Sequence, residues 1–398
     1  MAATQAGLAC ALVGRTGYYP RMRRTLSLAA GLALLVAAPR ALPQAPAALS
    51  DSAYAALVAR LSEPGGFFPS DNLITNEDSY LHPISTLRRL GVTGGAYLGV
   101  APDQNFSYIA AVRPRIAIIL DIRRDNLDEL QMYKAIFALA RNRLEYLCLL
   151  FGRPAPADTT GWGARSLAQL IEYLDRTPGD SASRARARGR VLARVRTAGL
   201  ALTAEDLEVV ARTHRAFVLD GLDLRWTNAN YYGGRGTGGR RPDLRSLLLE
   251  TDHTGTQANY LARESDFQFL KSLEARNLVI PVTGDFGSPH PLPEIAKYLA
   301  EIGEKVSMFY TSNVEQYLWR DGGFFQFARS VSALPRSEKS VIVRSFFSMG
   351  RYGGTHPQWV QGYVSVQLVQ RMERFAAVTA AGGFQGYYDL VTRELVDP

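Results

Sequence analysis

Gly95-Ala96-Tyr97-Leu98-Gly99-Val100-Ala101-Pro102-Asp103-Gln104-Asn105 is followed shortly by Arg115-Ile116-Ala117-Ile118-Ile119-Leu120-Asp121. Each stretch is a short, unbroken apolar run that stops at polar residues, the pattern of a strand buried on both faces. Residues 106–112 between them suit a helix. After Asp121, Leu127, Leu130, Tyr133, Phe137, Ala140, Leu144 and Leu147 recur at helical spacing and predict one long helix over 126–150. Strand, helix, strand, helix with short links is the signature of a parallel sheet.

The same rhythm returns further along. Helices are expected over 266–276, 293–302, 314–327 and 360–379, and strands over 278–285, 305–311, 340–347 and 386–392. Residues 152–262 break it with Pro154, Pro156, Gly161 and Gly163, an arginine-dense run and a Gly- and Arg-rich loop over 228–241. The expected fold class is therefore α/β: a doubly wound, mostly parallel sheet whose halves, 94–151 and 263–398, flank a partly helical insertion over the sheet's active edge. Residues 46–93 form an expected N-terminal lid segment. It has helices over 50–62, capped by Ser50 or Asp51, and over 81–90, joined by polar turn-rich chain.

Residues 1–45 read as a leader and linker. Met22-Arg23-Arg24 precedes an apolar run over 25–38 and small residues over 39–45, the layout of a secretory signal of general or twin-arginine type. An exported, periplasmic protein is expected, or a cytoplasmic one if the run is no signal; an uncleaved anchor is the other reading. The formal charge of +8 owes five arginines to this segment, and the rest of the chain is only mildly basic. A small-molecule substrate is expected, and no nucleic-acid partner. Arg184, Arg186, Arg188, Arg190, Arg194 and Arg196 form either a solvated face or a surface for an anionic partner. Cys148, within apolar chain, reads as a core thiol. His82, His214, His253, His290 and His356 are scattered, so no metal site is expected. No Gly-x-Ser-x-Gly elbow is present.

In an open parallel sheet, ligands bind beyond the carboxyl ends of the strands. Those ends carry Asp103, Gln104 and Asn105 after the first strand, Asp121 after the second, Asp285 and Phe286 after the third, and Ser312, Asn313 and Glu315 after the fourth. Asp121 suits the two hydroxyls of a ribose, or a pairing with Arg123. Asp285 and Phe286 suit an adenine, or a helix cap. Ser312 and Asn313 either cap the next helix or face the reacting group. Asn313, Glu315, Tyr80 and Glu77 are candidates to orient an acceptor, with Asp71, Asn72 and Glu77 able to fold over the cleft. The first loop lacks the Gly-x-Gly-x-x-Gly of a pyrophosphate cradle. A cationic or uncharged ligand tail suits Asp103 and Asn105 better.

The strand order, Asp121, the stretch 282–286 and the stretch 309–315 together resemble class I S-adenosylmethionine-dependent methyltransferases. Gly66-Phe67-Phe68-Pro69-Ser70-Asp71-Asn72, the stretch 99–108 and Asp121-Ile122-Arg123-Arg124-Asp125-Asn126 resemble an uncharacterised bacterial family of methyltransferase-like proteins. The resemblance covers residues 64–395 apart from the insertion. It implies bound S-adenosylmethionine, with Gly95, Gly99 and Asp103 near its amino-acid end, Asp121 on the ribose, and Asp285 and Phe286 at the adenine. The activity implied is methyl transfer to a small acceptor. The alternatives on the same fold are an exported, non-catalytic nucleoside or small-ligand binder, and an aminopropyl-transfer-like enzyme using Asp103 and Asp285.

Overall fold

The computed structural model describes residues 46–226, 242–347 and 356–398. The leader expected over 1–45 and the Gly- and Arg-rich stretch 228–241 lie outside the described residues. Six strands form one sheet: β1 (Ala96–Gly99), β2 (Ile116–Asp121), β3 (Val279–Thr283), β4 (Val306–Ser312), β5 (Arg336–Phe347) and β6 (Ser365–Arg371). Their order is β3-β2-β1-β4-β5-β6. The first five are parallel and β6 runs antiparallel to β5, from Val341 opposite Arg371 to Phe347 opposite Ser365. The fold is thus α/β with a doubly wound, mostly parallel sheet of Rossmann-like type. The order turns back between β1 and β4, which makes the carboxyl ends of those two strands the topological switch point.

Helices α1 (Asp51–Leu61), α2 (Pro83–Arg89), α3 (Gln104–Val112), α4 (Arg124–Leu139) and α5 (Arg143–Leu150) come first. Ser50 caps α1, its hydroxyl accepting from Ala53 N. The insertion carries α6 (Leu167–Arg176), α7 (Ser181–Val195), α8 (Ala204–Asp220) and α9 (Leu244–Leu249). Then follow α10 (Glu264–Ala275), α11 (Pro291–Glu301), α12 (Val314–Asp321), α13 (Phe324–Ala333), α14 (Met372–Ala380) and α15 (Tyr387–Thr392). Helices α4, α10, α3 and α2 neighbour one another in that order on one side of the sheet; α1, α11, α13 and α14 do so on the other. Helices α7 and α8 pack on α4, so α4 has sheet beneath it and helices above it. That sandwiching buries even its polar residues Asn126, Asp128, Glu129, Gln131 and Lys134. No described helix is long and apolar enough to cross a membrane.

Four expectations need correction, the first being the helix expected over 314–327, which is the two helices α12 and α13 parted at Gly322, whose φ is +84°. The single helix over 126–150 is two, because Asn142 turns the chain and caps α5 by accepting from Glu145 N. The helix expected over 360–379 is β6 followed by α14. Its apolar residues are buried on both faces of an edge of the sheet, so their spacing carried no alternation to mark a strand. The strand expected over 386–392 is helix α15, which packs near α12.

Residues 62–82 run across the carboxyl edge of the sheet as a strap. Glu63 N donates to Thr283 O (2.9 Å) and Gly66 N to Ile122 O (2.8 Å). Arg123 Nη1 donates to Asp71 O (2.6 Å). Further on, Asp78 accepts from Val364 N (2.8 Å) and Ser365 N (3.1 Å). Gly66 has no room for a side chain: a Cβ there would stand 2.7 Å from Ile122 Cγ1.

Candidate functional site

The loop after β1 is built around Asn105. Its Nδ2 donates to the carbonyls of Val100 (2.8 Å), Ala101 (2.9 Å) and Pro102 (2.6 Å), and its Oδ1 accepts from Tyr97 OH (2.7 Å). These bonds hold Ala101 at φ +68°, a left-handed conformation a side chain disfavours. Ser312, the last residue of β4, stands at φ +53°. Both carboxyl ends at the switch point thus carry a strained non-glycine residue. The space above Gly99 is filled by the same Asn105: a Cβ on Gly99 would fall 2.0 Å from Asn105 Oδ1 and 2.7 Å from Tyr97 OH. Gly99 is therefore needed by the protein's own side chains rather than by a ligand. Gly95 sits at the amino end of β1, the opposite edge of the sheet, and its φ of +61° and the 2.4 Å from an added Cβ to Lys305 O explain it there.

The other sequence-assigned residues divide the same way. Asp121 accepts from Arg123 N (2.8 Å) and lies 3.4 Å from Arg123 Nε, the pairing weighed against a ribose. Asp285 closes a turn, accepting from Gly287 N (2.8 Å), while its own N–H is held by Glu63 Oε1 (2.9 Å). Phe286 is a core residue, 5.2 Å from Phe309 and stacked 5.9 Å from Phe327. Tyr80 donates to Leu247 O (3.0 Å) and accepts from Asn259 Nδ2 (2.8 Å), tying the strap to the chain around α9. Glu315 forms a two-pronged ion pair with Arg344, 2.8 Å and 3.1 Å, both side chains fully buried.

Glu77 is the hub of the switch point. It arrives from the strap fully buried and accepts from Tyr310 OH (2.5 Å), Ser312 Oγ and Gln367 Nε2 (3.1 Å). Burial pushes its carboxyl upward, opposed by the hydrogen bonds of Ser312, Ser345, Tyr310 and Gln367. Gln104 donates to Tyr310 OH at 3.5 Å. Asn313 precedes α12, half-buried and making no cap bond; its Oδ1 lies 3.4 Å from Ser312 Oγ.

Hydrogen-bonding capacity is left over in a different set. Gln104 Oε1, Arg123 Nη2, both amide atoms of Asn126 and Thr283 Oγ1 are buried without a hydrogen-bond partner. Arg123 Nε also lacks one, the 3.4 Å to Asp121 being an ionic contact of poor hydrogen-bond geometry. These groups stand at the carboxyl end of β3, just beyond those of β1 and β2, or on the first turn of α4. Asn126 and Glu129 share one face of α4, three residues apart, with Tyr133 one turn on and donating to Glu129 Oε1 (3.3 Å). Burial raises Glu129, with Arg123 pulling the other way. Asp103 keeps part of its surface open, yet its carboxyl is densely surrounded and burial pushes it up to about 7. Loss of hydration around the carboxyl, rather than the residue's outer surface, governs that shift. Sequence reasoning passed over Asn126 and Glu129. Their signal was a run of polar residues, 123–126 and 128–129, opening a helix directly after a buried strand.

As a test of fit, S-adenosylmethionine finds its assigned contacts largely spent: Gly95 is at the wrong edge, Gly99 is covered by Asn105, Asp121 and Asp285 hold backbone, and Phe286 is core. Asp103, Gln104, Arg123, Asn126 and Thr283 are what this chain offers a polar ligand instead. Among the described residues no three His, Cys, Asp or Glu side chains are grouped to hold a metal.

No curated protein matches the sequence. Among solved structures, the rRNA methyltransferase aviRa from Streptomyces viridochromogenes aligns over 80% of this chain and 97% of that chain, at 13% identity and a TM-score of 0.28, a likeness too loose to bear on function. A family model described as a domain of unknown function (DUF7790) matches residues 73–162 and 243–384, passing over the part that carries α6, α7 and α8; with more than half of its length matched, the chain belongs to that family.

Proposed function

We propose that the protein is a methyltransferase-like binder of a small polar ligand, held at the carboxyl edge of the sheet under the strap. One observation carries the reading: unpartnered buried polar atoms of Gln104, Arg123, Asn126 and Thr283 gather where open α/β sheets bind ligands. A buried polar atom left unpaired costs about 1–3 kcal/mol, so several near one edge favour a partner supplied from outside. S-adenosylmethionine is the first ligand to test, on the sheet topology and the resemblance of the sequence.

Binding without catalysis is favoured over methyl transfer, because Glu77, Tyr80 and Glu315 are each committed to internal bonds. Methyl transfer is the second reading, and Asn313, half-buried at the switch point, is the group that favours it. Calorimetric titration with S-adenosylmethionine and S-adenosylhomocysteine tests both. Saturable heat that falls about tenfold or more in affinity in Asn126→Leu supports the site. No heat with either ligand removes S-adenosylmethionine from the reading. Methylated product from a small-molecule acceptor pool would overturn the non-catalytic assignment.

A further inference from the structure

Asp103 narrows the kind of molecule that the edge takes. It precedes α3 without a side-chain cap bond, and among the described residues no other side chain bonds its carboxyl. Four buried tyrosines, Tyr80, Tyr133, Tyr146 and Tyr260, all feel its charge. The Tyr146 and Tyr260 hydroxyls lie 3.1 Å apart. Phe106, on the first turn of α3, stands edge-on to Tyr133 at 5.5 Å and packs against Tyr260 at 5.4 Å. Glu129 adds a second buried carboxyl coupled to Asp103, and Asn126 on the same helix face has both amide atoms unpartnered at 1% exposure. Arg123 and Asp71 act on Glu129; neither is among the groups that act on Asp103.

Two carboxyls in a tyrosine-rich surround, Glu129 buried and Asp103 half-buried with no cation of its own, make a place short of positive charge. A buried carboxylate needs a counter-charge, and aromatic faces attract cations. We infer that the ligand presents an organic ammonium to Asp103 and Glu129, with the tyrosine hydroxyls and the Asn126 carbonyl as further acceptors. This rests on the reading that the carboxyl edge binds a small ligand, and it specifies that ligand's charge. An anion meets two carboxyls, and a neutral polyol leaves the charge of Asp103 unmatched.

Ion pairing needs the ionised carboxylate, so Asp103 gives up its proton when the cation arrives. Affinity then rises with pH through about 7 and levels off above it. Below that point the change approaches about tenfold per pH unit.

The test is calorimetry on the full chain with putrescine, butanediol and succinate as probes. Putrescine should bind, with protons released in buffers of differing ionisation heat, and butanediol and succinate should not. Asp103→Asn should lower putrescine affinity about tenfold or more, with near-ultraviolet circular dichroism unchanged, while Asp125→Asn should not. Equal affinity in Asp103→Asn, or butanediol binding as well as putrescine, overturns the inference. S-adenosylmethionine itself carries an ammonium, so its binding with affinity unchanged in Asp103→Asn overturns the inference but leaves the small-ligand reading standing; silence from every probe removes both. If Asp103→Asn does not fold, the wild-type protein decides: putrescine binding at pH 6 without proton release overturns the inference.

Discussion

Arg344→Met tests whether Glu315 is held for structure. Arg344 and Glu315 are 0% and 1% exposed and joined by two bonds. Arg344 Nη1 also donates to Gln370 Oε1 (3.0 Å), and Gln370 Nε2 donates to Arg393 O (2.9 Å). Methionine fills much of the volume but leaves Glu315 as a buried charge with no partner. Removing one member of such a pair costs about 3–5 kcal/mol, a large share of a typical total of about 5–15 kcal/mol. Urea denaturation followed by far-ultraviolet circular dichroism measures it. The double variant Arg344→Met with Glu315→Leu removes the stranded charge and should recover most of the loss, to within about 2 kcal/mol of wild type. Under conditions where Arg344→Met stays folded, its ligand affinity should equal wild type. A single-variant loss below about 1 kcal/mol, or a double variant as unstable as the sum of the singles, refutes the reasoning.

Asn105→Ala strands three loop carbonyls and a tyrosine hydroxyl and should cost about 2–4 kcal/mol by thermal or urea unfolding; a neutral result would mean that the amide does not hold the loop. Phe286→Ala should cost about 3–5 kcal/mol as a core truncation and leave ligand affinity unchanged, whereas an affinity loss without a stability loss would restore the adenine assignment. Gly99→Ala should destabilise by about 1–3 kcal/mol, since its Cβ would fall 2.0 Å from Asn105 Oδ1. Asp103 is raised in the folded state to about 7 from an unfolded value near 4. Its contribution to stability is full below about pH 4 and is lost as pH rises through about 7. Wild type should therefore lose about 1–3 kcal/mol relative to Asp103→Asn between those limits, the lower end allowing for partial solvent access. Parallel pH profiles for the two proteins would contradict the shift.

The central strands were legible because β1 to β4 are buried on both faces and their apolar runs end in polar residues. The edge was not. Val364, just before β6, and Leu368 within it happen to sit in step with Met372 and Phe375 of α14, so a strand and a helix together imitate one helical stripe. The break between α4 and α5 did carry a local sign, Asn142 with Glu145 three residues on, which is cap chemistry. The site was legible as a place and only partly as residues. Polar side chains do end the strands, but a one-dimensional reading cannot tell a side chain that faces a ligand from one, such as Asn105 or Asp121, that faces its own backbone. Asn126 and Glu129 escaped notice because burial of that polar helix face depends on chain distant in sequence, the segments of Asp71 and Asp103, coming up against it, which only tertiary structure reveals.

The strap has a consequence for how the chain matures on the ribosome. Glu77 is bonded to Gln367, 290 residues later, and Ser79 to Ser365, 286 residues later. The first four strands can emerge and pair while these early residues still lack their partners. Contacts so distant in sequence form late, so the switch point stays open until the last strand has been synthesised. Nascent chains stalled before residue 365 would expose the unclosed edge, and a protease should cut them within residues 74–82, most of which the finished protein buries.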